Sequence, residues 1–498
     1  MIVDRYEPVN LFELLPKELE LEMDPVLAKL DRLLDDDVLF AWVKEVLAKR
    51  HPKSRTHGRH STPVEVILRM LIVRRLYDLS YEQTERFVSD SLTLRQFCRL
   101  YLERAPDDTT LIRWSNLIGE QTLRRIHERV VALAREHKVT GGRKLRIDGP
   151  VVETNIAHPT DSSLLRDGVR VLGRLARKAK RCLAEEARAV GGLFRDRTRS
   201  AKRLAPKIDE AGRRRTKEAK AGSLAAYQRL VEVASASLGQ AKKQREALLA
   251  LGSAGVEALR NELGEVGELV ERVIGQTRRR VFEGEQVPAQ EKLVSIFEPH
   301  TRIIRRGKSG KPTEFGRKVW LSEVEGGIIS DYRILEGNPK DESQVVPSLE
   351  THQRLFGREP PRLLVGDRGT YSAANEAAAR ERGVKRVALP KPGAKSEERK
   401  HYERQGWFRR AKRFRAGIEG RISVLKRGGE LGRCRDKGEA GYERWVGMGV
   451  VSANLLQIAR KLAADPKRRS DSKMDRGAKR GLRSLSSSRS LYFAPVTS

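Results

Sequence analysis

RKLRIDGPVVE, residues 143–153, alternates polar and apolar side chains and carries β-branched residues, with Asp148 at its centre. The pattern predicts a strand or a tight strand pair that delivers this acid at a strand end. A second apolar run, RLLVGDRG (362–369), delivers Asp367 in the same way. A third acid, Glu419, sits in RFRAGIEGRISVLKR (413–427), which reads as a helix with basic residues around one carboxylate. Two strand-borne aspartates and one helix-borne glutamate are hard oxygen donors. They suit two Mg²⁺ or Mn²⁺ ions a few ångströms apart, the kind of site that cuts and joins phosphodiesters by in-line displacement.

Outward from these three stretches the character of the chain changes twice. Between about 164 and 290, leucine, alanine, arginine, lysine and glutamate dominate with helical spacing, as in LLRDGVRVLGRLARKAK (164–180) and VEALRNELGEVGELVERVI (256–274). This predicts a helical insertion of two to four helices. Strand character returns in KLVSIFEP (292–299), TRIIRRGK (301–308), RKVWLSEV (317–324) and IISDYRIL (328–335), with Gly326-Gly327 as a hairpin turn. A helix (342–357), the strand of Asp367, a helix (372–383), a strand (386–390) and two helices (407–427 and about 442–463) follow. With the insertion removed, the order is a strand with Asp148, antiparallel strands, a helix, a strand with Asp367, a helix, a strand, and a helix with Glu419. That is the order of a mixed α/β, ribonuclease H-like fold, in which the first strand is central and the two aspartates become neighbours.

Residues 1–140 read as helical. Thr62-Pro63-Val64-Glu65 resembles a capped start to an amphipathic run, VILRMLIVRRLYDL (66–79), and Ser80 to Gln83 forms a second capping box. The turn ERAPDD (103–108) before TTLIRWSNLIGEQTLRRI (109–126) has the outline of a helix-turn-helix. Four parts are expected: a helical DNA-binding domain at 1–140, a catalytic domain at 141–163 and 291–463, the insertion at 164–290, and a disordered Ser- and Arg-rich tail at 464–498.

The 498 residues carry a formal net charge of +33. A field of that sign gathers polyanions, double-stranded DNA first among them. Cys98, Cys182 and Cys434 lie far apart, which excludes a zinc ribbon and a disulfide framework and fits a reducing cytosol. The start lacks a signal peptide, and no run of about 18 apolar residues spans a membrane.

Five stretches together carry a family resemblance: DGPVVETNIAHPTDSSLLRDGVRVL (148–172), RRGKSGKPTEFGRKVWLSEVEGGI (305–328), LEGNPKD (335–341), GDRGTYSAANE (366–376) and FRAGIEGRISVLKR (414–427). Across about residues 40–460 the chain resembles the DDE transposases of bacterial insertion sequences, in the broad insertion sequence 4 and 5 group and the ISNCY set. The family's last motif runs Tyr, two residues, Arg, three residues, Glu, six residues, Lys. Arg415, Glu419 and Lys426 fit it, while Lys412 stands at the tyrosine position. The resemblance implies a magnesium- or manganese-dependent enzyme with Asp148, Asp367 and Glu419 as metal-holding catalytic acids. Arg415, Arg421 and Lys426 are expected to contact phosphates. It also implies element ends and target DNA as partners, a homodimer or larger synaptic assembly, and a bacterial, nucleoid-associated location in the cytoplasm. A nuclease without strand transfer, and a non-catalytic DNA-binding derivative, remain open.

Other residues compete for roles. Glu153 and Asp161 are candidate supports for the site, and Asp331 reads as a paired strand residue. His158 reads as a hydrogen-bonding neighbour. His51, His57 and His60 read as a basic loop, since no cysteine accompanies them. Arg306-Gly307-Lys308-Ser309 lacks the first glycine of a nucleotide-binding loop, so no ATP use is implied.

Overall fold

The computed structural model describes residues 23–48, 62–183, 195–214, 216–250, 253–305, 313–428 and 431–465. The histidines at 51, 57 and 60, the segment 306–309 and the tail from 466 lie outside the described residues.

Among the described residues seven helices come first: α1 (Pro25–Leu33), α2 (Asp37–Ala48), α3 (Val64–Leu76), α4 (Tyr81–Asp90), α5 (Leu92–Phe97), α6 (Asp108–Ser115) and α7 (Glu120–Glu136). The capping box at Ser80–Gln83 opens α4, with both reciprocal hydrogen bonds made. α3 departs from the sequence reading in two ways. Its N-cap is Pro63, without a side-chain cap bond, and it is buried from Val64 to Arg75 rather than amphipathic. Its arginines tolerate burial because each finds partners. Arg69 reaches Glu65, Asp31 and Asp35, Arg74 reaches Asp436, and Arg75 lies 3.5 Å over the Trp445 ring. α7 is basic, and its arginines have partners on neighbouring elements. Arg124 binds Glu120 and the Tyr332 carbonyl, Arg125 binds Glu45, Arg129 binds Asp36 and Glu136, and Arg135 binds the Leu355 carbonyl. These arginines tie α7 to the elements around it.

The sheet begins with β1 (Lys144–Asp148) and β2 (Val151–Glu153). Four helices then leave it: α8 (Asp161–Cys182), α9 (Thr198–Arg213), α10 (Lys217–Ala247) and α11 (Ala254–Thr277). No strand occurs among the described residues between 164 and 290. The four pack on one another around their own core, including Leu165, Leu172, Leu230, Leu263 and Val270.

β3 (Arg302–Arg305), β4 (Thr313–Val324) and β5 (Ile328–Ile334) return the chain to the sheet. Gly326 and Gly327, both at positive φ, form the β4–β5 turn as their sequence suggests. KLVSIFEP is not a strand. Gln276 donates to the Leu293 carbonyl and accepts from its amide, so a side chain takes the backbone groups a ladder needs. The remaining elements are α12 (Val345–Leu355), β6 (Leu363–Val365), α13 (Ala373–Glu381), β7 (Arg386–Ala388), α14 (Glu397–Arg404), α15 (Gly406–Arg427) and α16 (Gly438–Ala464).

β4 is the hub. One edge pairs antiparallel with β1 and then β2; the other pairs antiparallel with β5 and β3. β1 pairs parallel with β6, and β6 with β7. The order across the sheet is β5-β4-β1-β6-β7, with β1 central. One face of the sheet, with Leu145, Ile147 and Leu364, shares a core with the first seven helices and α16.

Candidate active site

Strand alternation decides which β1 residues face the chemistry. Leu145 and Ile147 enter the core shared with the first helices, so Lys144, Arg146 and Asp148 point to the opposite face. α15 covers that face, lying over β1, β6 and β7. It is held by apolar contacts, Phe408 and Ala411 against Val365 and Ala388. A buried ion pair adds to them: Arg146 donates to Glu323 at 2.6 and 3.0 Å and to the Phe414 carbonyl at 2.6 Å. Gly417 makes room, since a Cβ there would lie 2.4 Å from the Arg146 guanidinium. Burial pushes the Glu323 carboxyl up, against the pull of Arg146.

The parallel register sets the two aspartates together. Lys144 pairs with Leu363 and Arg146 with Val365. β1 ends at Asp148, and β6 ends two residues before Asp367. Val365 faces α15, so by alternation Asp367 belongs to that face as well. Both acids therefore lie at the C-terminal edge of adjacent parallel strands.

Above them, α15 turns Arg415 inward. Arg415 lies 3.8 Å from Asp148 Oδ2 and donates to Glu419 Oε1 at 3.0 Å. One guanidinium thus joins two of the three acids. Asp148 is 18 % exposed and Glu419 62 %, so the glutamate stands at the open rim. Asp367 caps the turn that follows it, accepting from the Thr370 amide at 3.1 Å.

Two residues beside the acids have no part in the sequence reading. A Cβ at Gly369 would lie 3.1 Å from Asp341 Oδ2 and 3.4 Å from Asp367 Oδ1, so the two carboxylates are neighbours. Asp341 in turn forms an ion pair with Lys318 of β4. The Lys318 stem packs where a side chain on Gly149 would otherwise be, 2.9 Å from that position. The available signals were a lysine immediately before the apolar run VWL and the acid that ends LEGNPKD.

The other predicted residues disperse. Arg421 donates to the Ala453 carbonyl on α16 and also lies near Glu323. Lys426 lies 3.9 Å from Glu314, and it stands seven residues, about 10 Å of helix, beyond Glu419. Glu153 pairs with Arg433 at 3.4 Å. Asp161 is buried at the start of α8 and held by Gln276 and Arg280, so it ties the helical bundle to the chain. Asp331 pairs with Arg333 at 3.1 Å, the structural role its strand position suggests. His158 meets the edge of Phe315.

Among the described residues no three His, Cys, Asp or Glu side chains stand close enough to hold one metal ion. The donor chemistry nevertheless fits a hard divalent ion. Asp148 ends β1 and Asp367 follows the adjacent β6, and Arg415 links Asp148 to Glu419; these carboxylates are hard oxygen donors. No described helix is long and apolar enough to cross a membrane. No curated protein and no solved structure matches the chain. Asp148, Asp367 and Glu419 all lie outside the one matched segment. Residues 13–117, which include α1 to α6, match the family described as Transposase domain (DUF772), and this match supports a transposase function and DNA as the partner.

Proposed function

We propose that the chain is a DDE transposase with a ribonuclease H-like catalytic domain. It binds the ends of an insertion sequence, cleaves them and joins the freed 3′-hydroxyls to target DNA. The observation that carries this reading is the parallel β1–β6 pairing, Arg146 opposite Val365, in adjacent strands that end at Asp148 and just before Asp367, with α15 packed over both. The strand order, three antiparallel strands followed by two parallel ones with β1 central, supports it.

Bound as a pair, Mg²⁺ or Mn²⁺ ions supply a lowered pKa for the attacking water or hydroxyl and charge neutralisation at the leaving oxygen. Asp148 and Asp367 would hold them, and Glu419 would complete the ligand set from the rim. Arg415 neutralises Asp148 and Glu419 in the metal-free chain. Its guanidinium matches a phosphate as well as a carboxylate, so it can pass from the acids to the DNA backbone. Lys426, further along the same face of α15, extends that line of positive charge. Bringing two element ends together calls for at least a homodimer.

The experiment compares the wild-type chain with Asp148→Asn, Asp367→Asn and Glu419→Gln on duplexes bearing the element ends, at one salt concentration. Each variant loses an anionic ligand but leaves the basic surface unchanged. Cleavage and joining in Mg²⁺ are expected to fall by roughly a thousandfold or more, the scale of losing an electrostatic catalytic group. Binding is expected to survive and to weaken steeply with salt. Variants that cut and join at close to the wild-type rate would falsify the site. Cleavage by wild type without any joined product would favour a simple nuclease.

A further inference from the structure

A buried charge sits beside the candidate acids, and the two-metal reading does not use it. The Lys318 side chain is 8 % exposed, in mid-strand, next to the buried Val319 and Trp320. A buried ammonium persists only with partners. Lys318 has the Asp341 carboxylate and, at 2.9 Å, the Pro339 carbonyl. The pair adjoins the Asp367 side of the site: Asp341 and Asp367 flank Gly369, while the Lys318 stem abuts Gly149 on the sheet face of Trp320, opposite the face of Asp148. Two neighbouring carboxylates raise each other's energy unless a cation stands between or beside them. Lys318 is that cation.

We infer that Lys318 is the internal counter-ion of the acidic site, and that it competes with a divalent cation for Asp341. Asp341 is thereby a fourth acid of the site, on the Asp367 side. This rests on the two-metal reading of Asp148 and Asp367. It gives the two partners of one ion pair opposite signs. Without the ammonium, an uncompensated carboxylate is left beside Asp367, and a divalent ion binds more tightly. Without the carboxylate, an uncompensated ammonium is left, and the ion binds more weakly. A purely structural ion pair gives both partners the same sign: each loss costs stability, and neither alters ion affinity.

The test is a Mn²⁺ titration of the full chain without DNA, read as free Mn²⁺ by electron paramagnetic resonance. Lys318→Met is expected to bind roughly tenfold more tightly than wild type and Asp341→Asn roughly tenfold more weakly, the scale of one charge a few ångströms from the ion. If Lys318→Met alone does not fold, the double variant Asp341→Asn/Lys318→Met leaves no unpaired charge and decides the matter. It should bind more tightly than Asp341→Asn. Affinity that ignores the charge at position 318 in both backgrounds overturns the inference while leaving the two-metal reading standing. A wild type that binds no Mn²⁺ overturns both.

Discussion

The helical bundle and the sheet lobe treat charge in opposite ways. The bundle buries mainly leucine, valine, isoleucine and alanine, and many of its ion pairs are exposed, although the buried Asp161 pairs with Arg280. Lys242–Glu271 is more than half exposed on both sides, and Arg177–Asp196 is similar. The sheet lobe keeps charge inside: Arg69 is fully buried, Glu323 beneath Arg146 is 1 % exposed, and Lys318 sits within a strand. Desolvating these groups is costly, and only good partners offset it. Arg146 on β1 and Glu323 and Lys318 on β4 put part of that buried charge at the strands next to Asp148, while Arg69 lies in the helices that share the sheet's core.

The strongest way to break this contrast is Arg69→Met. Glu65 is 2 % exposed and loses its closest cation, although Arg99 lies 3.5 Å away. The expected loss is about 3 kcal/mol or more, read as a lower urea midpoint. A loss below about 1 kcal/mol would show that the buried arginines of the sheet lobe are dispensable.

Acid sharpens it next. Burial pushes both His352 and His300 down to about 4, from an ordinary value of 6.5. Between those limits the unfolded chain takes up protons that the folded chain refuses, so stability falls as pH drops from about 6.5 to 4. For His352, stacked on Phe356 at 4.6 Å, the loss is on the order of 3 kcal/mol. His352→Leu should flatten that part of the pH profile, and an unchanged slope would refute the assignment. The bundle, residues 161–277, contains no histidine and should not share this response.

The smallest effect belongs to the bundle surface. Lys242→Ala removes an exposed pair and should cost less than about 1 kcal/mol in the same urea assay. A cost as large as that of Arg69→Met would erase the distinction between the two regions.

The parts of this architecture that are local in sequence could be read from it. Alternation around Asp148, the apolar run before Asp367 and the Arg415–Glu419 spacing each depend on residues a few positions apart, and the corresponding elements are present. The apolar alternation of KLVSIFEP misled because Gln276, on α11, supplies the hydrogen bonds a strand would otherwise need. α3 looked amphipathic because its arginines gave no sign of partners as distant as Asp31 and Asp436. α14 escaped notice because EERKHYER has almost no apolar period. Lys318 and Asp341 are ordinary residues in sequence; only the fold puts them beside Gly149 and Gly369. Arg415 was expected to meet a phosphate, and its contact with Asp148 depends on how α15 crosses β1.

β4 holds one further consequence. Glu153, the last residue of β2, and Arg302, the first of β3, both pair with Gly316, from opposite edges of β4. The chain therefore departs from the sheet and rejoins it two strand spacings apart, about 10 Å. To the sheet, everything from 154 to 301 is a single closed loop, and the entropy of closing a loop grows only with the logarithm of its length. A graft anchored at so narrow a base can lengthen, shorten or exchange its helices over evolutionary time while its stem stays fixed. The strand that carries Asp148 would keep its place throughout.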